Sequence, residues 1–379
     1  MKSLVLWVTT DCNLRCRYCY AEGGESRDYM SWPVAQGALD VVKRDGESCT
    51  IQFAGGEPIL NLDLVERIVH YTRGWDVRYQ MQTNGTLVDA QVARKLKDLR
   101  IAVGVSLDGP PAVNDALRPF SDGRGSTPAV LSGLNCLADY GLRVGVTCVV
   151  SAASVVGLPS LVDLASFTGI VEGIALDAVR PMGRASSGFV ELPSPDTIAR
   201  YLSLALERAE LVARLGGSGV QFVEVERLRR LLSTVGRRWH RCFFDAASSL
   251  AVTPGGDAYP CASLVSVPGF YLGNVTTEGF GKGLRQRLRD ARDRIPALEN
   301  CLACDDIALC GGPCPAHTFA WRLKGVESEG DCAIRRTVID HVKRSNVIVE
   351  DGGPPWGSCT SRDTRGMRSF RTVNQRRST

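Results

Sequence analysis

The sequence predicts an α/β protein with a parallel sheet, followed by a smaller, loop-rich region. Strand-like and helix-like segments alternate six times between the start of the chain and about residue 190. Such an alternation is typical of a parallel sheet with helices on its faces. The composition then changes, because residues 236–335 contain seven of the 14 cysteines, many glycines and prolines, and few long periodic runs. A small domain of this kind is stabilised by metal sites.

Each element follows from its own pattern. Short apolar runs predict strands at 4–8, 49–54, 77–82, 101–107, 142–150 and 173–179. Apolar residues at helical spacing predict the intervening helices, with Pro33 and Pro128 near two of the helix starts. Two further helices, 193–216 and 222–235, lead into the cysteine-rich region. Periodicity leaves open whether the sheet is doubly wound or a partial barrel.

The totals exclude some classes of protein. A net charge of +4 is too small to argue for nucleic-acid binding. No apolar run approaches the length of a membrane span, and the first residues do not resemble a secretory signal. In such a chain, cysteines spaced by two and three residues indicate metal ligands in a reducing compartment. We therefore expect a cytoplasmic protein with no membrane or nucleic-acid partner.

Three cysteines lie close together directly after the first strand. Cys12, Cys16 and Cys19 form a CxxxCxxC motif. Three thiolates can hold three irons of a four-iron cluster and leave the fourth iron to a ligand from outside the protein, whereas structural four-iron clusters normally have four cysteines. A structural zinc site is the alternative, but such a site usually has four protein ligands.

The CxxxCxxC motif, with the aromatic Tyr18 before its last cysteine, resembles that of radical S-adenosylmethionine (SAM) enzymes. The resemblance implies a partial TIM-like barrel of six β/α units, with its chemistry at the carboxyl ends of the strands. It also implies a 4Fe-4S cluster whose open iron binds SAM. Cleavage of SAM would give a 5′-deoxyadenosyl radical, which takes a hydrogen atom from a substrate.

The resemblance extends to segments that follow later strands. By this resemblance, the residues that contact SAM are Tyr18, Gly55, Gly56, Glu57, Pro58, Ser106 and Arg118. The Gly-Gly-Glu-Pro segment would receive the SAM amino group, the serine the ribose, and the arginine the carboxylate, which suits a planar guanidinium. Turn chemistry is the alternative explanation for such segments at strand ends. The segment 180–184 is interpreted as a substrate-carboxylate contact or as a solvated turn.

A second set of seven cysteines lies within residues 242–332. Its spacing, with Gly256 inside the first gap, matches the pattern of SPASM proteins, which are radical SAM enzymes with auxiliary clusters. The resemblance implies two auxiliary 4Fe-4S clusters, and therefore three clusters in all; an isolated CxxC pair could instead bind zinc. The inner cluster would have the ligands Cys242, Cys261 and Cys314, and the outer cluster would have Cys301, Cys304, Cys310 and Cys332.

The domain boundaries follow from these assignments. We expect the radical SAM barrel at 1–190, bridging helices at 191–236, the SPASM domain at 237–345, and a basic, disordered tail at 346–379.

The inner auxiliary cluster is one protein ligand short in this assignment. We expect that its fourth iron is open or that a group other than cysteine binds it; loss of an auxiliary cluster on substitution of Cys359 would contradict an open iron. Sulfatase maturases have a proton-accepting aspartate where this chain has Ala262, so sulfatase activation is disfavoured. The four histidines give no triad or metal spacing. The remaining cysteines are interpreted as core residues: Cys49, Cys136 and Cys148.

We therefore predict a radical SAM/SPASM enzyme that oxidises a ribosomally made peptide or protein, forming a thioether or other crosslink or a dehydrogenated side chain. The alternatives are oxidation or epimerisation of a small molecule, such as an amino sugar, and a non-enzymatic iron–sulfur or zinc protein. The expected partners are the substrate and a flavodoxin or ferredoxin reductant. Because the barrel begins near residue 4, we expect that a peptide substrate is recognised by the barrel mouth, by the basic tail or by a separate leader-recognition protein. The sequence assigns no catalytic acid or base.

Overall fold

Ten strands form one sheet in the part of the chain that the structure, a computed structural model, describes. The described residues are 1–188, 190–217, 219–233, 241–295, 298–326 and 329–350. The strands are β1 (Ser3–Thr9), β2 (Cys49–Gly55), β3 (Val77–Thr83), β4 (Ile101–Ser106), β5 (Val144–Val150), β6 (Val171–Ala178), β7 (Gln221–Phe222), β8 (Ser249–Val252), β9 (Asp257–Tyr259) and β10 (Gly273–Asn274).

Helices connect these strands and cover the sheet. In the first half of the chain they are α1 (Trp32–Asp45), α2 (Leu62–Tyr71), α3 (Ala90–Asp98), α4 (Pro111–Leu117), α5 (Thr127–Asp139) and α6 (Leu158–Thr168). In the second half they are α7 (Pro195–Arg214), α8 (Val223–Ser233), α9 (Leu284–Asp293), α10 (Glu299–Leu302), α11 (Ile307–Cys310), α12 (Pro315–Arg322) and α13 (Gly330–Glu350). Short 3-10 helices lie at Pro58–Asn61, Val155–Gly157, Gly183–Ser187 and Ala262–Leu264.

Strands β1 to β6 lie side by side in chain order, and all are parallel. This order confirms the parallel α/β architecture predicted from the six alternating units. Strand β7 pairs with β6 at one edge. At the other side, β8 pairs in parallel with β1, so that Leu4 lies opposite both Ile51 of β2 and Leu250 of β8. Strands β9 and β10 continue the sheet as antiparallel neighbours of β8.

The core lies between the sheet and the helices. Strand β1 is buried along its whole length, as expected for a strand covered on both faces. Helix α1 begins next to Pro33, as predicted, and ends at Gly46, whose positive φ of 65° favours glycine. Helix α2 buries its predicted apolar face, including Val65 and Ile68, and each such side chain contributes about 1.5–3 kcal/mol relative to an exposed one.

The cysteine-rich region contains more regular structure than its sequence predicts. Helix α9 buries Leu284, Leu288 and Ala291, but most of its other residues are charged, so its apolar periodicity is faint in the sequence. Helix α13 continues five residues beyond the predicted domain boundary at 345. The rest of the predicted tail, from 351, lies outside the described residues.

Residues Met1–Val342 form one compact unit, and the described residues from Lys343 onward do not belong to it. A search of the described helices finds none with the length and apolar character needed to cross a membrane.

Candidate active site

The three-cysteine motif lies on a loop that leaves the carboxyl end of β1. Two backbone amides point at its sulfurs: Leu14 N lies 3.4 Å from Cys12 Sγ, and Gly23 N lies 3.4 Å from Cys19 Sγ. The amide of Cys19 also donates to the carbonyl of Cys16, at 3.2 Å, which closes a tight turn around the motif. Amides directed at sulfur suit thiolates, because a thiolate accepts hydrogen bonds.

Two arginines hold this loop through its carbonyl groups. Arg15 donates to the carbonyls of Cys12 and Gly24, each at 2.8 Å. Arg184 donates to the carbonyl of Cys16 at 2.9 Å and forms an ion pair with Glu25 at 2.7 Å. The sequence leaves the role of the 180–184 segment open. In the structure, Arg184 of this segment stabilises the cysteine loop.

The paired glycines let β2 approach the cysteine loop closely. Gly55 has a φ of 120°, and a Cβ there would lie 2.2 Å from the Thr9 carbonyl oxygen. A Cβ on Gly56 would lie 2.1 Å from the Asp11 carbonyl oxygen. Only glycine fits such an approach. The two segments are joined by a hydrogen bond of 2.8 Å from Gly56 N to the Thr9 carbonyl.

Glu57 is buried beneath this junction. Its carboxylate accepts hydrogen bonds from Thr83 Oγ1 at 2.7 Å, from Asn84 N at 2.7 Å and from Ile59 N at 3.2 Å. Burial raises the pKa of Glu57, although these three hydrogen bonds act to lower it. The carboxylate thus ties β2 to the end of β3 from inside the protein, and Pro58 begins the 3-10 helix that follows.

A buried network joins the cysteine loop to β4 and α4. The Tyr18 hydroxyl donates to the carboxylate of Asp108 and accepts from Arg118 Nη1. Asp108 also accepts from Val149 N at 2.9 Å, and burial raises the pKa of its carboxyl group despite the nearby charge of Arg118. Asp108 is not among the predicted site residues, and its partners Tyr18 and Val149 lie far from it in the chain.

One cavity of about 240 Å³ lies at the carboxyl ends of the strands, where a parallel α/β protein places its site. The predicted residues that it brings together are Cys12, Cys16, Cys19, Tyr18, Gly55, Gly56, Ser106 and Arg118. Glu57 and Pro58 are buried and do not line it. Ala262 lines the same cavity from the cysteine-rich region, and Asp177, Arg180 and Arg184 line it from the end of β6 and the segment that follows.

The cysteines of the lining suit positively charged metal ions, and its buried arginine suits a ligand that carries a carboxylate group. Burial raises the pKa of Cys12 to about 12 and that of Cys16 to about 11, so these thiols need a positively charged partner to ionise. A bound metal centre is such a partner. Arg118 is only 6% exposed, and its Nε has no hydrogen-bond partner in the described structure. A carboxylate in the cavity would satisfy this donor.

The second cysteine set falls into two neighbourhoods. Burial raises the pKa of Cys261 to about 12, and the negative charges of Cys314 and Cys242 act in the same direction. Burial also raises the pKa of Cys332, with contributions from two other cysteines, Cys310 and Cys304. Such effects require short separations. The assignment of these cysteines to an inner and an outer cluster stays a prediction. Cys304 N donates to the carbonyl of Cys301 at 3.3 Å, so these two cysteines share one backbone turn.

His317 lies between two carboxylates, which sequence analysis missed. Its Nδ1 lies 3.0 Å from Asp331 Oδ2, and its Nε2 lies 3.2 Å from Asp177 Oδ1. Burial alone would lower the pKa of His317, but the negative charges of Cys314 and Asp331 raise it to about 10. The ligand atoms of Cys314, His317 and Asp331 lie within 4.8 Å of one another. The spacing of the histidines along the sequence gives no sign of this cluster, which forms only in the folded chain. His240 lies outside the described residues.

Three further cysteines are not among the predicted ligands. Cys49 and Cys148 are buried, and Cys136 is partly buried against the core, as their interpretation as core residues requires. The Sγ of Cys148 lies 3.7 Å from the carbonyl oxygen of Asp108. Cys359 lies outside the described residues.

Comparison with known proteins relates the chain to one superfamily. The model of the radical SAM superfamily matches residues 8–158. The uncharacterized protein MJ0907 of Methanocaldococcus jannaschii is 32% identical over 281 residues, which are 73% of this chain and 89% of that protein. A cysteine-type anaerobic sulfatase-maturating enzyme of Clostridium novyi is 31% identical over 167 residues, which are 40% of this chain and 45% of that enzyme.

A solved structure shares the fold. The structure of native anSMEcpe with bound AdoMet and Cp18Cys peptide superimposes with a TM-score of 0.76 at 19% identity, over 92% of this chain and 98% of that chain. The predicted TIM-like α/β fold is thereby confirmed.

Proposed function

Because this chain belongs to the radical SAM superfamily, we propose that it cleaves SAM reductively and oxidises a peptide or protein substrate by hydrogen abstraction. One observation supports this proposal most strongly. The cavity at the strand ends is lined both by the three-cysteine loop and by Ala262, which directly follows Cys261. Hydrogen abstraction and electron removal would then take place at the same cavity.

In this proposal, different residues around the cavity bind the amino group, the carboxylate and the ribose of SAM. Cys12, Cys16 and Cys19 hold the 4Fe-4S cluster, which when bound supplies the electron that cleaves SAM and generates the hydrogen-abstracting radical. The backbone at Gly55 and Gly56 receives the SAM amino group. Arg118 binds the carboxylate through the guanidinium that the Tyr18 hydroxyl positions, and Ser106 contacts the ribose. Glu57 acts indirectly, because its buried carboxylate fixes the end of β2 against the end of β3.

Two auxiliary clusters complete the proposed cofactor set. Cys242, Cys261 and Cys314 hold the inner one, whose fourth iron is open or bound by a group other than cysteine. The outer cluster has four ligands: Cys301, Cys304, Cys310 and Cys332. Cys310 of the outer set lies four residues before Cys314 of the inner set, so the outer cluster would offer a route by which an electron leaves the cavity.

A peptide substrate is supported by the structural neighbour, which was solved with a peptide bound. The product would be a thioether, another crosslink or a dehydrogenated side chain. We place the protein in a reducing cytoplasm, where cysteines that ligate clusters stay reduced. A flavodoxin or ferredoxin would supply the electron for SAM cleavage, and a separate protein would present a leader segment.

Anaerobic reconstitution tests the proposal. We expect about twelve irons per chain for three clusters. With dithionite and SAM the protein should form 5′-deoxyadenosine, and a variant with all three loop cysteines replaced by alanine should not. Short synthetic peptides with one central cysteine or serine should then lose two hydrogen atoms, as measured by mass spectrometry.

Three outcomes would contradict the proposal in different ways. About four irons per chain would remove the auxiliary clusters. Absence of 5′-deoxyadenosine would favour a non-enzymatic iron–sulfur or zinc protein. Oxidation of an amino sugar in parallel reactions, with every peptide unchanged, would favour a small-molecule substrate.

A further inference from the structure

Asp177 occupies a distinctive position in the cavity. It lies near the carboxyl end of β6, and among the described residues that line the cavity it is the sole carboxylate. The other charged side chains of that lining, apart from the cysteines, are the guanidinium groups of Arg118, Arg180 and Arg184. The side chain of Asp177 is 37% exposed and forms part of the cavity wall.

Buried groups hold this carboxylate in one orientation. Arg180 Nη2 donates to Asp177 Oδ2, and the same guanidinium donates to Ser263 and lies 4.5 Å from the centre of the Tyr20 ring. His317 contacts the other oxygen, Oδ1, at 3.2 Å.

A second carboxylate holds the imidazole of His317 on the side away from Asp177. Its second nitrogen contacts Asp331, and Asp331 accepts the backbone N–H of Cys314 at 3.0 Å. A continuous hydrogen-bonded chain therefore runs from the inner cysteine set to the cavity.

The proposed oxidation requires a proton acceptor in this place. The substrate loses two hydrogen atoms: one leaves as a hydrogen atom to the SAM-derived radical, and the other leaves as an electron and a proton. The electron passes to an iron–sulfur cluster that acts as one-electron acceptor. The proton leaves a hydroxyl, thiol or amide next to the radical carbon, as the new double bond or carbon–sulfur bond forms. A group at the cavity must accept this proton as it leaves.

We propose that Asp177 is the catalytic base that accepts this proton, and that His317 and Arg180 position it. The inference rests on the proposed function, because it presupposes an oxidised substrate. Ala262, which lies on the same cavity next to Cys261, has no group that can accept a proton.

The electrostatics of the site support this role. Burial alone would raise the pKa of Asp177, but the positive charge of Arg180 and the hydrogen bond and charge of His317 bring it below its usual range. Asp177 is therefore ionised at neutral pH and ready to accept a proton. A weak base suffices, because a carbonyl or thiocarbonyl that is still protonated after the electron has left is a much stronger acid than a carboxylic acid.

The test compares D177N with wild type and with two further variants, D177E and D163N. Asp163 is an exposed aspartate paired with Arg208 at 2.6 Å, so D163N is a matched control away from the cavity. Each reconstituted protein is given SAM, dithionite and the synthetic cysteine and serine peptides, in D2O buffer. Iron content, 5′-deoxyadenosine, oxidised peptide and carbon-bound deuterium in recovered peptide are measured.

We expect D177N to keep its iron and its 5′-deoxyadenosine formation, while the ratio of oxidised peptide to 5′-deoxyadenosine falls by roughly 10²-fold. Peptide radicals that cannot be oxidised are reduced instead, so the recovered peptide should gain deuterium on carbon. D177E should restore part of the ratio, and D163N should match wild type.

Other results would overturn the inference. In D177N, an unchanged ratio would show that the carboxylate is not the base. A parallel loss of 5′-deoxyadenosine and product would assign it to substrate placement. If D177N binds less iron than wild type, the D177E variant is used to test the proposal instead. A ratio of oxidised peptide to 5′-deoxyadenosine that is lower in D177E than in D177N would contradict the proposal. Wild type that oxidises no peptide would refute the proposed function and this inference with it.

Discussion

Replacement of Arg118 by lysine tests how SAM is bound. Arg118 is 6% exposed, donates to Tyr18 through Nη1, and has an Nε without a described partner. Glutamine would remove the cation near the buried Asp108, and loss of one member of a buried pair costs about 3–5 kcal/mol. Lysine keeps the positive charge but lacks the planar fork, so R118K separates ligand binding from folding.

The expected size of the effect follows from the lost contact. A hydrogen bond to a charged group contributes about 1.5–3 kcal/mol, which corresponds to a weakening of SAM binding by about 10- to 150-fold. The free energy of unfolding should change much less than it does in the glutamine variant, because the charge that faces Asp108 remains.

Anaerobic calorimetry of SAM binding to the reconstituted protein measures this effect, and iron content checks the cluster. R124K is the matched control, because Arg124 is exposed and pairs with Asp122 at 2.7 Å; its SAM affinity should equal that of wild type. If R118K binds SAM as tightly as wild type, the unpartnered Nε does not mark a carboxylate site.

Further predictions follow from the cysteine loop and its supports. In G56A, a Cβ 2.1 Å from a carbonyl oxygen of the cysteine loop should abolish 5′-deoxyadenosine formation, whereas G255A, whose Cβ would meet nothing within 4 Å, should keep it; equal activity would refute the close-approach argument. C261S should lower the iron content by about four atoms, and an unchanged count would remove Cys261 from the ligands. T83V deletes a donor to the buried Glu57 carboxylate and should cost about 1–3 kcal/mol of unfolding free energy in urea denaturation; an unchanged midpoint and slope would contradict that role.

The parallel sheet could be predicted because its information is local. Runs such as 4–8 and 144–150 are apolar over the length of a strand, and helical stripes such as that of α2 repeat within a few residues. Strand β8 was not predicted, because a four-residue strand with three apolar residues in a loop-rich region gives no sign of which strand it joins. Its pairing with β1 is set by contacts across more than 240 positions.

The site could be predicted as far as its motifs extend. The cysteine spacings and the paired glycines are local signals, and the structure brings the loop cysteines, Gly55 and Gly56 to one cavity. The Tyr18–Asp108 contact joins residues 90 positions apart, and the link between Asp177 and His317 spans an even longer stretch of chain. No spacing rule covers such distances. The sequence also does not reveal that Glu57 is buried outside the cavity lining, because this depends on packing between distant segments.

The parallel pairing of β8 with β1 has a consequence for any attempt to express the first part of the chain alone. Without the residues from 242 onward, β1 would become an edge strand with unpaired amides and carbonyls. Its side chains are buried on both faces in the intact protein, and those between Ser3 and Thr9 are apolar. An exposed strand of this kind pairs with other copies and aggregates. The strand that leads into the radical-generating loop therefore depends on the auxiliary region for its solubility.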